Sequence, residues 1–134
     1  MKKVSIVLFV FIFLACGIAY AQKMNHSTKG KAKMKIEILY FDSCPSYKQA
    51  ITNVKAVLKE KNIQAKLLLI NVESEEKAEK VGFQGSPSIR INGKDIEGRD
   101  EGFSLSCRLY IVNGKPSTAP SKEAIIAKIE GMMR

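Results

Sequence analysis

The chain has no tryptophan, a single histidine, four prolines and three cysteines in 134 residues. The lone histidine, His26, sits in a polar, lysine-rich stretch, which rules out a histidine-based catalytic triad and a His-rich metal site. Aromatic residues make up 7% of the chain. Nowhere are basic residues interleaved with them on one face, so the pattern of a nucleic-acid surface is missing. No internal repeat is visible. With 46% hydrophobic residues in so short a chain, one domain with a modest core is the expectation.

The N-terminus has its own character. Lys2 and Lys3 precede the apolar run VSIVLFVFIFLA, and Ala19-Tyr20-Ala21 supplies a small-x-small cleavage signal. This reads as an export peptide over residues 1–21, cleaved after Ala21, which places the mature chain in the periplasm or outside the cell. Two competing readings use the same stretch. In one, FLACG (Phe13 to Gly17) is a lipoprotein processing site with Cys16 lipidated, although Phe13 and Leu14 are bulkier than that signal usually carries. In the other, Val4 to Ala21, eighteen mostly apolar residues, is a short uncleaved anchor. Either would tether the protein to a membrane. Residues 22–33, in the run QKMNHSTKGKAKMK, read as a flexible basic tether. Without the signal the chain keeps 20 basic against 13 acidic residues, a net +7, which suits a solvated tether or a surface attracted to anionic lipid.

Residues 34–134 carry the patterns of a folded domain. MKIEILYF (Met34 to Phe41) alternates and then turns wholly apolar, as a strand does on entering the middle of a sheet. Tyr47, Ile51, Val54 and Leu58 then recur at helical spacing. Pro45 suits the first helical position, which makes Cys44 the expected cap. AKLLLINV (Ala65 to Val72) is a second strand, and Ser74-Glu75-Glu76 opens a short helix that Gly82 ends. Strand, helix, strand, helix is the order of a parallel pair joined by a crossover. Asn92-Gly93 between Ser88–Ile91 and Lys94–Ile96 is a strong hairpin signal. Residues 97–106 read as an exposed, charged loop containing Glu97, Asp100 and Glu101, with Asp95 beside it also expected in solvent. Cys107 to Val112 reads as a further strand, and APSKEAIIAKIEGMM as a closing helix with Ile125, Ile126, Ile129 and Met133 on one face.

Cys44 stands where the first strand hands over to the first helix. Unpaired N–H groups and the helix dipole favour an anion there, and cysteines so placed have pKa values of about 3.5 to 7.5 instead of about 8.5. The alternative is a cap without chemistry, a role that Ser, Thr, Asp or Asn fills better. If Cys16 leaves with the signal, Cys44 and Cys107 remain in an oxidising compartment, where two thiols are often a disulfide. Pro87 follows Ser86 at the start of a strand, a place where a proline removes no ladder hydrogen bond and where cis is accessible.

Cys44-Pro45-Ser46-Tyr47 after a central strand, with Gly85-Ser86-Pro87-Ser88 before a later one, resembles the thioredoxin-like fold. The resemblance covers nearly all of Met34 to Met133 in element order. It implies an α/β domain with a central mixed sheet of about four strands and three helices. It also implies a catalytic thiol at Cys44 opening the first helix, a cis-proline at Pro87, and Ser86 with its backbone facing the thiol. The family's second cysteine, three residues after the first, is replaced by Tyr47, so dithiol exchange within a C-x-x-C is excluded. Tyr47 itself reads as a packed first-turn aromatic.

The expected partner for Cys44 is then Cys107. The Asn92-Gly93 turn reverses the chain early, and the loop from Glu97 to Ser106 is long enough to bring Cys107 back to the Cys44 end of the sheet. LSCRLYIVNGKPSTAPSKEAI also resembles the C-terminal part of alkylmercury lyases, which hold mercury between two cysteines on a thioredoxin-like core. That resemblance implies Cys44 and Cys107 as the thiol pair. The proton-donating aspartate of that family is again Tyr47 here, and Asp42 lies on the other side of the cysteine. Carbon–mercury cleavage is therefore not expected, while capture of mercury or copper(I) by two thiolates needs only the sulfurs. Arg108 would neighbour the pair, either lowering its pKa or turned outward by strand alternation. Three readings follow: a thiol–disulfide protein in which Cys44 attacks and Cys107 resolves, acting on protein or small-molecule thiols and disulfides; a soft-metal binder with no other cofactor; and a domain stapled by a permanent disulfide.

Overall fold

The computed structural model describes residues 33–134. Residues 1–32, which include the expected export signal, Cys16, His26 and nearly all of the expected tether, lie outside the described residues. The described chain is α/β, with a four-stranded mixed sheet and three helices. Strand β1 (Met34–Tyr40) leads to helix α1 (Tyr47–Glu60), strand β2 (Ala65–Asn71) and helix α2 (Glu75–Val81). There follow β3 (Gln84–Ser86), β4 (Ser88–Ile91), β5 (Lys94–Asp95), β6 (Ser104–Cys107), β7 (Tyr110–Val112), β8 (Lys115–Ser117) and helix α3 (Lys122–Met133).

The main sheet runs β2-β1-β4-β5. β1 and β2 are parallel, from Met34 opposite Ala65 to Tyr40 opposite Asn71, as a helical crossover requires. β4 lies antiparallel on the other side of β1, with Ile36 facing Ile91 and Ile38 facing Ile89. Asn92 and Gly93 both take positive φ, at 50° and 82°, the conformation of a two-residue hairpin turn, and return the chain as β5.

Side-chain alternation along β1 divides the core between the two faces of the sheet. Ile36 and Ile38 join Ala50, Val54 and Val57 of α1, Ile89 and Ile91 of β4, and Ile125 and Ile129 of α3. Leu39 joins Val72, Ala78 and Phe83 around α2. Two helices thus cover one face and one covers the other. The helix caps follow ordinary chemistry for α2 and α3: Ser74 accepts from the Lys77 N–H, Ser121 from the Ala124 N–H, and Gly82 ends α2 at φ 60°, where a residue without Cβ is favoured. Among the described residues, no helix is long and apolar enough to cross a membrane.

Two expectations are corrected. Cys107 to Val112 is not one strand: β6 ends at Cys107, and β7 begins at Tyr110. Neither belongs to the main sheet. β6 pairs in parallel with β3, while β7 forms a separate hairpin with β8 through Asn113 and Gly114, both at positive φ. The break falls at Arg108, whose side chain is drawn into the interior. The second correction concerns the start of α1. Its cap is Ser46, not Cys44. Pro45 and Ser46 form a tighter turn, in which Lys48 N–H donates to the Pro45 carbonyl, and the first full helical bond runs from Ala50 to Ser46. Cys44 lies two residues ahead of the cap.

Ile129 is 1% exposed and ties α3 to α1 and the sheet. Ile129→Ala should therefore cost about 2–5 kcal/mol, read as a lower urea midpoint at unchanged slope.

Candidate functional site

The site forms at the C-terminal end of β1. Beyond Tyr40 the chain folds back at once: the Cys44 N–H donates to the Phe41 carbonyl (3.1 Å), and the Phe41 N–H donates to Ser86 Oγ (3.4 Å). These bonds pin the Cys44 turn against the end of β3, where Ser86 is fully buried. The Ser86-Pro87 bond is cis. The Cys44 thiol donates to the Ser86 carbonyl at 3.4 Å.

β6 brings Cys107 to the same place. Its register with β3 runs from Gln84 opposite Ser104 to Ser86 opposite Cys107, with one extra residue on β6, a bulge of the kind that re-aims a side chain. Gly85 makes this close pairing possible. Its φ is +93°, and a Cβ there would lie 3.0 Å from the Ser106 carbonyl oxygen and 3.1 Å from Arg108 Cβ. The result is a Cys107 sulfur 2.8 Å from that of Cys44, across 63 residues of sequence. Both are free thiols. A disulfide needs about 2.05 Å, so bond formation asks for a movement of less than an ångström. Two thiolates around a metal, at roughly 2.3 Å each, stand about 3.7 Å or more apart, so an ion would have to part the pair.

The two sulfurs differ in access, and not in the expected sense. Cys44, expected as the attacking thiol, is 1% exposed, whereas Cys107 is open to solvent. The tight turn that displaces Cys44 from the helix cap also buries it behind Cys107. Donation to Cys44, with a smaller contribution from burial, raises the Cys107 pKa.

Arg108 and the acidic loop depart furthest from expectation. Arg108 is 2% exposed and Asp95 1%. Arg108 Nη1 donates to Asp95 Oδ2 at 2.6 Å and Nη2 to Asp95 Oδ1 at 2.8 Å, a two-pronged ion pair. Nη2 also reaches Glu97 at 2.9 Å and Nη1 reaches Ser88 Oγ at 3.3 Å. The guanidinium carbon lies 4.7 Å from the centre of the Tyr110 ring, within cation–π range. Tyr110, also buried, donates its hydroxyl to the Pro87 carbonyl at 2.6 Å. Burial alone would push the Asp95 carboxyl up, but hydrogen bonds and charge from Arg108 outweigh it and hold it below the usual carboxylate range. Burial pushes the Tyr110 phenol well up. Asp95 and Glu97 are therefore not a free solvated loop, although Asp100 and Glu101 are exposed. No motif in the sequence signals this cluster, and Asn113-Gly114 was the sole local clue that the strand after Cys107 belongs to a separate hairpin.

The remaining residues frame the pair. Tyr47 stacks on Tyr40, ring centres 4.2 Å apart at 22°. Pro45 is exposed, while Pro87 is buried. Asp42 accepts from Asn71 Nδ2 at 3.2 Å and borders an open groove of about 300 Å³ lined by Phe41, Ser43, Val72, Glu73 and Leu105. Neither cysteine lines the groove, but two of its lining residues are near them in the chain: Ser43 adjoins Cys44 and Leu105 lies two residues before Cys107. Among the described residues no group of three or more metal-ligating side chains occurs. Comparison with protein-family models, curated proteins and solved structures finds no match.

The difference in access gives a direct expectation. In the reduced protein a bulky alkylating reagent should modify Cys107 well before Cys44, and the Cys107 rate should climb with pH through a value above that of a free thiol peptide. Peptide mapping after timed alkylation checks both the order and the pH profile.

Proposed function

We propose that this is an exported, thioredoxin-like thiol–disulfide protein in which Cys44 and Cys107 cycle between dithiol and disulfide. The observation that carries the reading is the 2.8 Å separation of two sulfurs 63 residues apart, beside a buried backbone carbonyl and a cis-proline. The order of β1, α1, β2 and α2, followed by an antiparallel hairpin, supports the family resemblance, as does the place of Pro87 opposite Cys44. The difference in exposure supports an inversion of the expected roles, with Cys107 the sulfur that meets the partner and Cys44 the resolving sulfur behind it.

In the oxidised form, a partner thiolate attacks Cys107 Sγ. The Cys44–Cys107 bond breaks, its electron pair leaves on Cys44, and the partner is joined to Cys107. A second thiolate of the partner then attacks its own bonded sulfur, releasing Cys107. The partner gains a disulfide, and the protein gains two electrons and, from solvent, two protons. In the reverse direction Cys107 must itself ionise, which its raised pKa opposes. Leu109 and Ile111, 55% and 69% exposed beside Cys107, add apolar surface of the sort that a protein partner covers. Capture of mercury or copper(I) by the same sulfurs first requires the pair to open.

Equilibration with glutathione redox buffers tests the reading. A potential between about −120 and −230 mV supports exchange, whereas one below about −300 mV means a permanent staple. Cys107→Ser should abolish oxidation of a dithiol peptide entirely. Retained turnover in that variant would show that the chemistry lies elsewhere.

A further inference from the structure

Cys107 is held from its C-terminal side. The Arg108 N–H donates to the Ser86 carbonyl at 2.8 Å, the Arg108 guanidinium is locked on Asp95, and the Tyr110 hydroxyl reaches the Pro87 carbonyl. All three bonds join the segment after Cys107 to the segment that faces Cys44 or to the β4–β5 hairpin. None involves a sulfur. We propose that Asp95 and Tyr110, the first acting through Arg108, are positioning residues that set how often Cys107 meets Cys44, and with it the equilibrium between dithiol and disulfide. This rests on the redox reading above.

The argument is one of effective concentration. Two thiols on one chain form a disulfide in proportion to the time they spend in bonding geometry. β6 is four residues long and pairs only with the three residues of β3, too little structure to fix a terminal side chain unaided. The residue immediately after Cys107 is instead anchored in a fully buried ion pair, and the third after it by a buried hydroxyl. A guanidinium fork on a carboxylate fixes orientation as well as distance. Glu97 gives a second, half-exposed contact that leaves Asp95 as the orienting partner. The balanced reaction is the loss of two electrons and two protons from the dithiol to oxidised glutathione, which becomes two glutathione thiols.

The test is the equilibrium constant for the Cys44–Cys107 bond in glutathione mixtures, read by acid trapping, alkylation and mass. Tyr110→Phe removes only the hydroxyl and should lower that constant roughly 2- to 12-fold, the value of one hydrogen bond. Asp95→Asn should lower it at least as far. If Asp95→Asn fails to fold, Tyr110→Phe carries the test alone. Ile125→Val, in the core on the helical face, serves as control: it should lower the melting temperature and leave the constant unchanged, because it weakens both redox forms alike. A Tyr110→Phe constant equal to wild type would overturn the proposal, as would an equal fall in Ile125→Val. Unchanged Tyr110→Phe alongside continued oxidation of a dithiol peptide leaves the exchange reading intact. A wild-type pair that bonds, responds to Tyr110→Phe and oxidises no peptide defeats the exchange reading and leaves the positioning role standing.

Discussion

A guanidinium is tolerable in a protein interior only against a carboxylate within hydrogen-bonding reach, so the place of Asp95 dictates where Arg108 can lie. Asp95 ends β5, which the Asn92-Gly93 turn folds onto β4, which in turn pairs with β1. β1 runs directly into the Cys44 turn. Cys44 and Cys107 are therefore tied to the same frame from opposite ends: one follows the central strand, and the other immediately precedes the arginine that the hairpin's carboxylate captures. The loop between Asp95 and β6 has no need to specify a path. It needs only enough length to let Arg108 reach its partner.

This cluster is not what makes the domain stable. Buried ion pairs roughly break even against apolar residues of the same shape, while the loss of one partner is costly because a charge is left behind. Arg108 Nε, buried and without an acceptor, adds to that cost. Stability comes from the apolar layers on the two faces of the sheet, Ile36, Ile38, Ile89, Ile91, Ile125 and Ile129 on one and Leu39, Val72, Ala78 and Phe83 on the other, all essentially inaccessible to solvent. The ion pair contributes selectivity of arrangement instead: an apolar residue at 108 would accept many packings of β6, whereas the forked contact to Asp95 accepts one.

The division between stability and placement also explains what could be read from the sequence. Elements whose identity depends on local spacing were legible. The period of Tyr47, Ile51, Val54 and Leu58 marked α1, Ser74 and Gly82 bounded α2, and Asn92-Gly93 fixed the hairpin. The proximity of Cys44 and Cys107 followed from topology and loop length. What escaped depended on contacts between residues far apart or on geometry at a single junction. Asp95 and Arg108 are 13 residues apart, each resembles a surface charge, and only their meeting makes both interior. Alternation misled for the same reason. After Cys107 the charged Arg108 and the phenolic Tyr110 turn inward while Leu109 and Ile111 face solvent, the inverse of the usual pattern, because the buried partner is a carboxylate and not an apolar layer. At the other end, a proline and a serine in a tight turn moved the helix start by two residues and turned an expected exposed nucleophile into a buried one.

That burial bears on how the pair can cycle. A buried carbonyl must keep at least one donor, and the Ser86 oxygen has two: the Arg108 N–H at 2.8 Å and the Cys44 thiol at 3.4 Å. Oxidation removes the thiol proton but not the backbone donor, so no buried acceptor is orphaned when the sulfurs join. Were the Cys44 thiol the carbonyl's sole partner, disulfide formation would strand a buried oxygen at a cost of about 1–3 kcal/mol, and the dithiol would be favoured by that amount. The Arg108 backbone thus relieves the oxidised state of a penalty in the same place where its side chain anchors Cys107, and both effects favour a bond between two cysteines that neither strand could hold together alone.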